Sequence, residues 1–173
     1  GVDKSTVSRV TKALEADVEA LRQAPLTDDV VYLYLDATYL RARWAREVEQ
    51  TAALVAYGVG ADGHRRMLGI AVDVAESEAS WSSFLESLVA RGLRGVQLIV
   101  ADEHAGIVGA TRKLFPEVRR QRCTVHLMRN VLAKAPTRLH RRLGRELSRI
   151  FAATSAAEVK RRAATLRQGL GKQ

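Results

Sequence analysis

The sequence holds a single cysteine, Cys123, so no disulfide can form within the chain. That excludes a small disulfide-stapled scaffold and fits a reducing compartment. Proline occurs only three times, and aromatic residues make up 5% of the chain. No apolar run approaches the roughly 20 residues that a bilayer-spanning helix needs. The longest runs, such as 96–101, have the length of a strand, so a membrane partner is not expected. The N-terminus lacks a basic segment followed by an apolar stretch, and no secretory signal is read there. It also lacks an initiating Met, and the sequence reads as a fragment. No internal repeat and no low-complexity linker interrupt it.

What is present is enough for one domain with a sizeable core: 173 residues, 47% of them apolar. The net charge of +9 is unevenly placed. Residues 1–111 carry eleven Lys/Arg against sixteen Asp/Glu, whereas residues 112–173 carry seventeen against three. A tail of that kind attracts a polyanion, because neutralising phosphates releases condensed counterions. The plainer alternative is a solvated basic helix.

Periodicity gives the order of elements. Residues 3–23 read as a helix capped by Asp3, with Val7, Val10, Leu14, Val18 and Leu21 at helical spacing and Pro25 at its end. Residues 30–36 read as a buried strand, and 51–59 and 66–74 as two more joined by a tight turn at Gly60, Asp62 and Gly63. A helix over 76–93 carries Trp81, Phe84, Leu85, Leu88 and Val89 in one stripe, with Gly92 and Gly95 closing it. A fourth strand over 96–101 ends at Asp102, a helix covers 105–114, and a short fifth strand covers 118–123. From Thr124 the pattern stays helical, with a break near Pro136. Three strands with a hairpin suggest an antiparallel meander, and later strands alternating with helices suggest parallel crossovers. The expected fold is α/β: a mixed sheet with flanking helices, preceded by a helix and followed by an all-helical segment.

Two carboxylates carry the chemical reading. Asp36 closes the first strand and Asp102 the fourth. A carboxylate at the end of a central strand is costly to bury unless it is paired or binds a cation. If the two strands are neighbours, the acids approach each other, and a divalent ion relieves their repulsion. Hard oxygen donors favour magnesium or manganese, and two such ions can drive phosphoryl transfer. The alternative is that each aspartate merely caps the segment that follows it.

Other positions are weaker. Cys123 and His126 form C-x-x-H, which places both on one helix face if a helix begins there. Zinc needs about four ligands and would have to recruit His104, His140 or acids. A packing or hydrogen-bonding role beside the acidic site is the expectation; Cys–His nucleophilic chemistry lacks an orienting group. His104 either faces the acidic pocket or sits exposed in a loop. Trp81 is expected in the core, and Glu76 and Glu78 at the positive end of the helix that carries it. Trp44 lies among Arg41, Arg43 and Arg46, a basic-aromatic cluster that could touch DNA or be an exposed loop. Residues 1–14 read either as an ordinary amphipathic helix or as the end of a helix-turn-helix, with Gly1 in the turn and Ser5, Thr6, Ser8, Arg9 and Lys12 toward DNA.

Taken together, LDATY, ASWSSFLESLVARGLRGVQLIVADEHAGI and FPEVRRQRCTVHLMRN, in that order and at that spacing, resemble the Mutator-type transposases of bacterial insertion sequences over about residues 1–135. The resemblance implies an RNase H-like catalytic domain with an Asp-Asp-Glu triad and a two-metal site of magnesium or manganese. Asp36 matches the first family aspartate, Asp102 the second, and Cys123 with His126 the C-x-x-H signature, with His104 as a supporting residue. It implies three segments: 1–25 as the end of a DNA-binding region, 26–135 as a partial catalytic domain, and 136–173 as the start of a basic helical insertion. The catalytic glutamate would follow that insertion. Glu146 and Glu158 lack a family-like context, so the chain is expected to stop before the third acid and to be inactive alone. When complete, the enzyme would cut transposon ends and join them to target DNA. Arg41, Arg43, Arg119, Arg120, Arg122 and Arg129 would contact DNA. A homo-oligomer and a cytoplasmic, nucleoid-associated location are implied at family level. Two other readings stay open: a non-catalytic remnant that binds DNA or a partner transposase, and an RNase H-like nuclease of another lineage using Glu146 or Glu158.

Overall fold

The computed structural model describes residues 3–44 and 47–170, with residues 42–44 and 47–49 described by their backbone alone. The chain divides into two compact units, Gly1–Gln121 and Arg122–Gln173.

The first unit opens with α1 (Lys4–Gln23). Asp3 starts it: its side chain accepts the Ser5 N–H at 2.6 Å and the Thr6 N–H at 2.9 Å, filling two donors that a helix start leaves open. Arg91 holds its end, donating from Nε to the Ala24 carbonyl at 2.8 Å and from a terminal nitrogen to the Leu21 carbonyl at 2.9 Å. No residue of α1 is buried, and Val7, Val10, Leu14 and Val18 are exposed. The periodicity thus gives the helix and its apolar face, but the described residues do not cover that face.

Five strands form one mixed sheet: β1 (Tyr32–Trp44), β2 (Glu47–Val59), β3 (Arg65–Asp73), β4 (Leu98–Ala101) and β5 (Arg119–Arg122), in the order β3-β2-β1-β4-β5. β1 runs antiparallel to β2 and β2 to β3, while β4 runs parallel to β1. This is the expected meander followed by a crossover. β1 is longer than the predicted strand 30–36, because residues 37–44 continue the ladder against the first residues of β2. That extension, ATYLRARW, breaks its apolar residues with Thr38, Arg41 and Arg43, so no continuous apolar run marks it. Between β2 and β3 the register shifts at Ala56/Tyr57.

Helices α2 (Glu78–Ala90) and α3 (Ala105–Leu114) join the strands on the core side. Ser77 and Ser80 make a reciprocal capping box at the start of α2. Gly92, at φ +106°, closes α2 in a conformation that other residues rarely adopt. The core unites Leu33 and Leu35 of β1, Leu54 of β2 and Ile99 of β4 with Trp81, Phe84, Leu85 and Leu88 of α2 and Ile107 and Ala110 of α3. These are the predicted stripes, and Trp81 is fully buried.

The second unit is helical: α4 (Thr124–Ala133), a single 3-10 turn (Thr137–Leu139), α5 (His140–Phe151) and α6 (Ala156–Leu170). Pro136 stands before the turn, where the sequence predicts a break. Among its described residues only Leu143 and Leu147 are buried.

Candidate functional site

The parallel ladder sets the position of the two aspartates. Tyr32 pairs with Leu98, Leu33 with Ile99 and Tyr34 with Val100. Asp36 and Asp102 each lie two residues beyond that last pair. Side chains alternate between faces along a strand, and neighbouring strands lie roughly 4.8 Å apart. Asp36 therefore leaves the sheet on the side of Tyr34, opposite the buried Leu33 and Leu35, and Asp102 follows directly on the end of the neighbouring strand β4. Asp36 is exposed and Asp102 half-buried.

Local bonds orient each carboxylate. Asp36 Oδ1 accepts the Ala37 N–H at 2.9 Å. Asp102 Oδ1 accepts the His104 N–H at 2.9 Å, a side-chain-to-backbone turn that leads into α3. Carboxylate oxygens are hard donors, which suit magnesium or manganese rather than a soft metal. Among the described residues no group of three or more His, Cys, Asp or Glu could hold a metal ion. Asp36, Asp102, His104, Cys123, His126 and His140 therefore form no such group among the described residues.

Near Asp102, through His104, sits a residue that sequence reasoning places only as a helix-end charge. Glu76 lies in the loop before α2, and its side chain is 5% exposed. Its Oε2 accepts the Tyr39 hydroxyl at 2.8 Å, and its Oε1 accepts the Trp81 indole N–H at 3.0 Å. His104 Nδ1 lies 3.2 Å from the same Oε1. That nitrogen is also 3.3 Å from the Gly106 N–H, which it could accept only when unprotonated. The two contacts require opposite protonation of Nδ1, and the contact with Glu76 is the shorter. The Glu76 hydrogen bond, followed by burial, pushes the Tyr39 hydroxyl above its usual pKa, and the nearby charges of Glu76 and Asp102 add to this.

Gly106 makes this approach possible. A Cβ there would lie 2.7 Å from the Ser77 carbonyl carbon and 2.9 Å from the Glu78 nitrogen, so only glycine lets the start of α3 reach the start of α2. A signal for Glu76 existed in the sequence. A buried tryptophan needs a partner for its indole N–H, and Glu76 stands five residues before Trp81.

The basic residues fall in different places. Arg41 on β1 and Arg119 on β5 are exposed. Arg120 is half-buried, and its Nε is buried without a hydrogen-bond partner. Burial pushes its guanidinium below the usual pKa, opposed by the charges of Glu103 and Asp102. Arg43 lies in β1, but its side chain and that of Trp44 fall outside the described residues, as does Arg46. Arg122, Cys123, His126 and Arg129 belong to the second unit. Cys123 precedes α4 as its cap residue without a side-chain cap bond, so C-x-x-H does begin a helix as the spacing requires. Glu146 pairs with Arg149 of its own helix at 2.9 Å. Glu158 accepts the Thr154 N–H at 3.2 Å and pairs with Arg162 at 2.5 Å, and these bonds hold its carboxyl below the usual pKa. Both glutamates thus have structural partners in α5 and α6.

Among the described residues no helix is long and apolar enough to cross a membrane. Comparison with known proteins agrees with the motifs. The chain is 40% identical over 161 residues to the transposase of insertion sequence IS406 from Burkholderia multivorans, covering 92% of this chain and 41% of that protein. It is 43% identical over 136 residues to the IS1081 transposase of Mycobacterium tuberculosis, covering 78% of this chain and 33% of that one. It is 35% identical over 165 residues to the IS256 transposase of transposon Tn4001 from Staphylococcus aureus, covering 93% and 42%. The chain therefore spans less than half the length of each of these relatives. Among solved structures, the HTLV-2 integrase catalytic core in complex with magnesium aligns at a TM-score of 0.40 and 10% identity, covering 68% of this chain and 84% of that one. The family model described as Transposase, Mutator family, matches residues 1–173, and the chain belongs to that family.

Proposed function

We propose that this chain contributes the first two metal-holding acids of a DNA transposase of the DDE class. Asp36 and Asp102 would hold magnesium or manganese, and a third carboxylate from outside the described residues would complete the set. The observation that supports the reading is the register: two acids 66 positions apart in sequence each follow, by two residues, the last pair of the neighbouring parallel strands β1 and β4. When bound, the ions would supply activation of a water or 3′ hydroxyl and stabilise the leaving oxygen. The chain's own part is to hold the two carboxylates side by side and to guide phosphates toward them. Transposon ends and target DNA are the proposed substrates, with oligomerisation on paired ends as part of the same proposal. Arg119 and Arg120 on β5, beside the strand that leads to Asp102, are the proposed phosphate contacts nearest the acids, with Arg41, Arg43, Arg122 and Arg129 as further contacts. With two acids in place of three, metal binding is weak and strand joining is absent.

Manganese titration of the 173-residue chain, followed by paramagnetic broadening of amide signals, tests this. Broadening centred on residues 36–37 and 102–104, and abolished by Asp36→Ala, is expected. Equal broadening in wild type and Asp36→Ala would instead favour a metal-independent DNA-binding remnant.

A further inference from the structure

The two candidate acids belong to separate segments, Asp36 within β1 and Asp102 just after β4. Something must fix their spacing if a cation is to bridge them. Close to each aspartate, one polar residue runs to the same buried group. Tyr39 stands three residues beyond Asp36 on β1, and its hydroxyl donates to Glu76 at 2.8 Å. His104 stands two residues beyond Asp102; its ring contacts Glu76 at 3.2 Å while its backbone N–H bonds Asp102 Oδ1 at 2.9 Å. Trp81 anchors the shared carboxylate from the core through its indole N–H at 3.0 Å. Gly106 permits the close approach of α3 on which the His104 contact depends.

A carboxylate that is 5% exposed is costly to bury, and a methylated or amide side chain of similar size would fill the same space more cheaply. The Tyr39 hydroxyl, the Trp81 indole N–H and the His104 ring converge on this one side chain from different elements, and a buried network of this kind imposes one geometry. The geometry of the donors matters as much as their number. Tyr39 reaches Glu76 from the strand that carries Asp36, and His104 reaches it from the turn that carries Asp102.

We infer that Glu76 is a positioning residue, a buried clasp that ties the β1 segment bearing Asp36 to the turn bearing Asp102 and so sets the distance between the two metal-holding carboxylates. This rests on the proposed role of that pair. Glu76 itself touches neither metal nor DNA. It acts through Tyr39 and His104, as outer residues of metal sites act on the ligands they orient.

The test uses the 173-residue chain and two readouts. Glu76→Gln keeps the size of the side chain but offers one acceptor oxygen in place of two; Tyr39→Phe removes one strut at a surface position and leaves Trp81 bonded. The first readout is metal-free amide exchange by NMR at Ala37 and His104, whose N–H groups bond the two aspartates. Faster exchange at His104 is expected in Glu76→Gln, with a smaller change of the same kind at Ala37 in Tyr39→Phe. The second is manganese affinity, expected to fall about tenfold in Glu76→Gln, the lower end of the range for residues that orient metal ligands. Unchanged exchange at both amides would overturn the clasp whatever the metal does. Faster exchange with unchanged manganese affinity would overturn the positioning claim and leave Glu76 a structural residue. If wild type and Asp36→Ala respond alike to manganese, the functional reading fails instead, and the clasp stands or falls on exchange alone.

Discussion

The two faces of the central strands are made from alternating residues of the same segments, and they serve opposite ends. Leu33, Leu35, Ile99 and Ala101 are buried with Trp81 and the rest of α2. Tyr32, Tyr34, Asp36, Val100 and Asp102, one step along the same chains, are exposed or half-buried. The first face carries stability through area removed from water. The second carries the two acids proposed to hold a cation, which would offset their mutual repulsion. The contrast teaches that strand alternation lets a fold keep its core and its chemistry on one short stretch of backbone. Glu76 is where the two meet, bonded to a core tryptophan on one side and to the residues beside the acids on the other.

Substitutions can break or sharpen that contrast. Trp81→Ala removes the largest buried side chain of the core face and Glu76's core anchor, and should cost about 3–5 kcal/mol in urea unfolding. A cost near zero would mean that the core does not centre on α2. Gly106→Ala forces a methyl group against the Ser77 and Glu78 backbone, and about 1–3 kcal/mol is expected, the range for overpacking. Asp36→Ala should change stability by no more than about 0.5 kcal/mol, as at other surface positions, while removing the manganese response. A loss as large as that of Trp81→Ala would mean that Asp36 is structural and erase the distinction between the faces.

The smallest effect concerns the hairpin turn, away from both faces. Asp62 is held down to about 2, first by its hydrogen bond to Arg66 and then by the His64 N–H. A carboxylate lowered on folding contributes stability that is present above its unfolded pKa and lost as pH falls through the folded one. Thermal unfolding followed from pH 5 to pH 2 should therefore show a loss in wild type, centred between the ordinary value near 3.8 and about 2, that is shallower in Asp62→Asn.

Much of this was legible in the sequence because periodicity reports burial. The stripe of α2, the strand that ends just before Asp102 and the cap at Asp3 all stand where spacing puts them, whereas Asp36 lies inside β1 rather than at its end. The second half of β1 was not legible, since its alanines and polar residues pair with β2 without a continuous apolar run. The apolar face of α1 was visible as a pattern, yet periodicity cannot say what covers it, and its valines and Leu14 are exposed. The clasp was hidden for a different reason. Tyr39, Glu76 and His104 are 37 and 28 residues apart along the chain, so their meeting depends on sheet order and on the approach at Gly106 rather than on any local signal.

Anomalous diffraction from manganese-soaked crystals of the chain tests the central claim most directly. The account predicts a manganese peak contacted by an oxygen of Asp36 and an oxygen of Asp102, each at about 2.0–2.2 Å, close to the distance for magnesium. A peak held by only one of them, or two carboxylates found on opposite faces of the sheet, would contradict it.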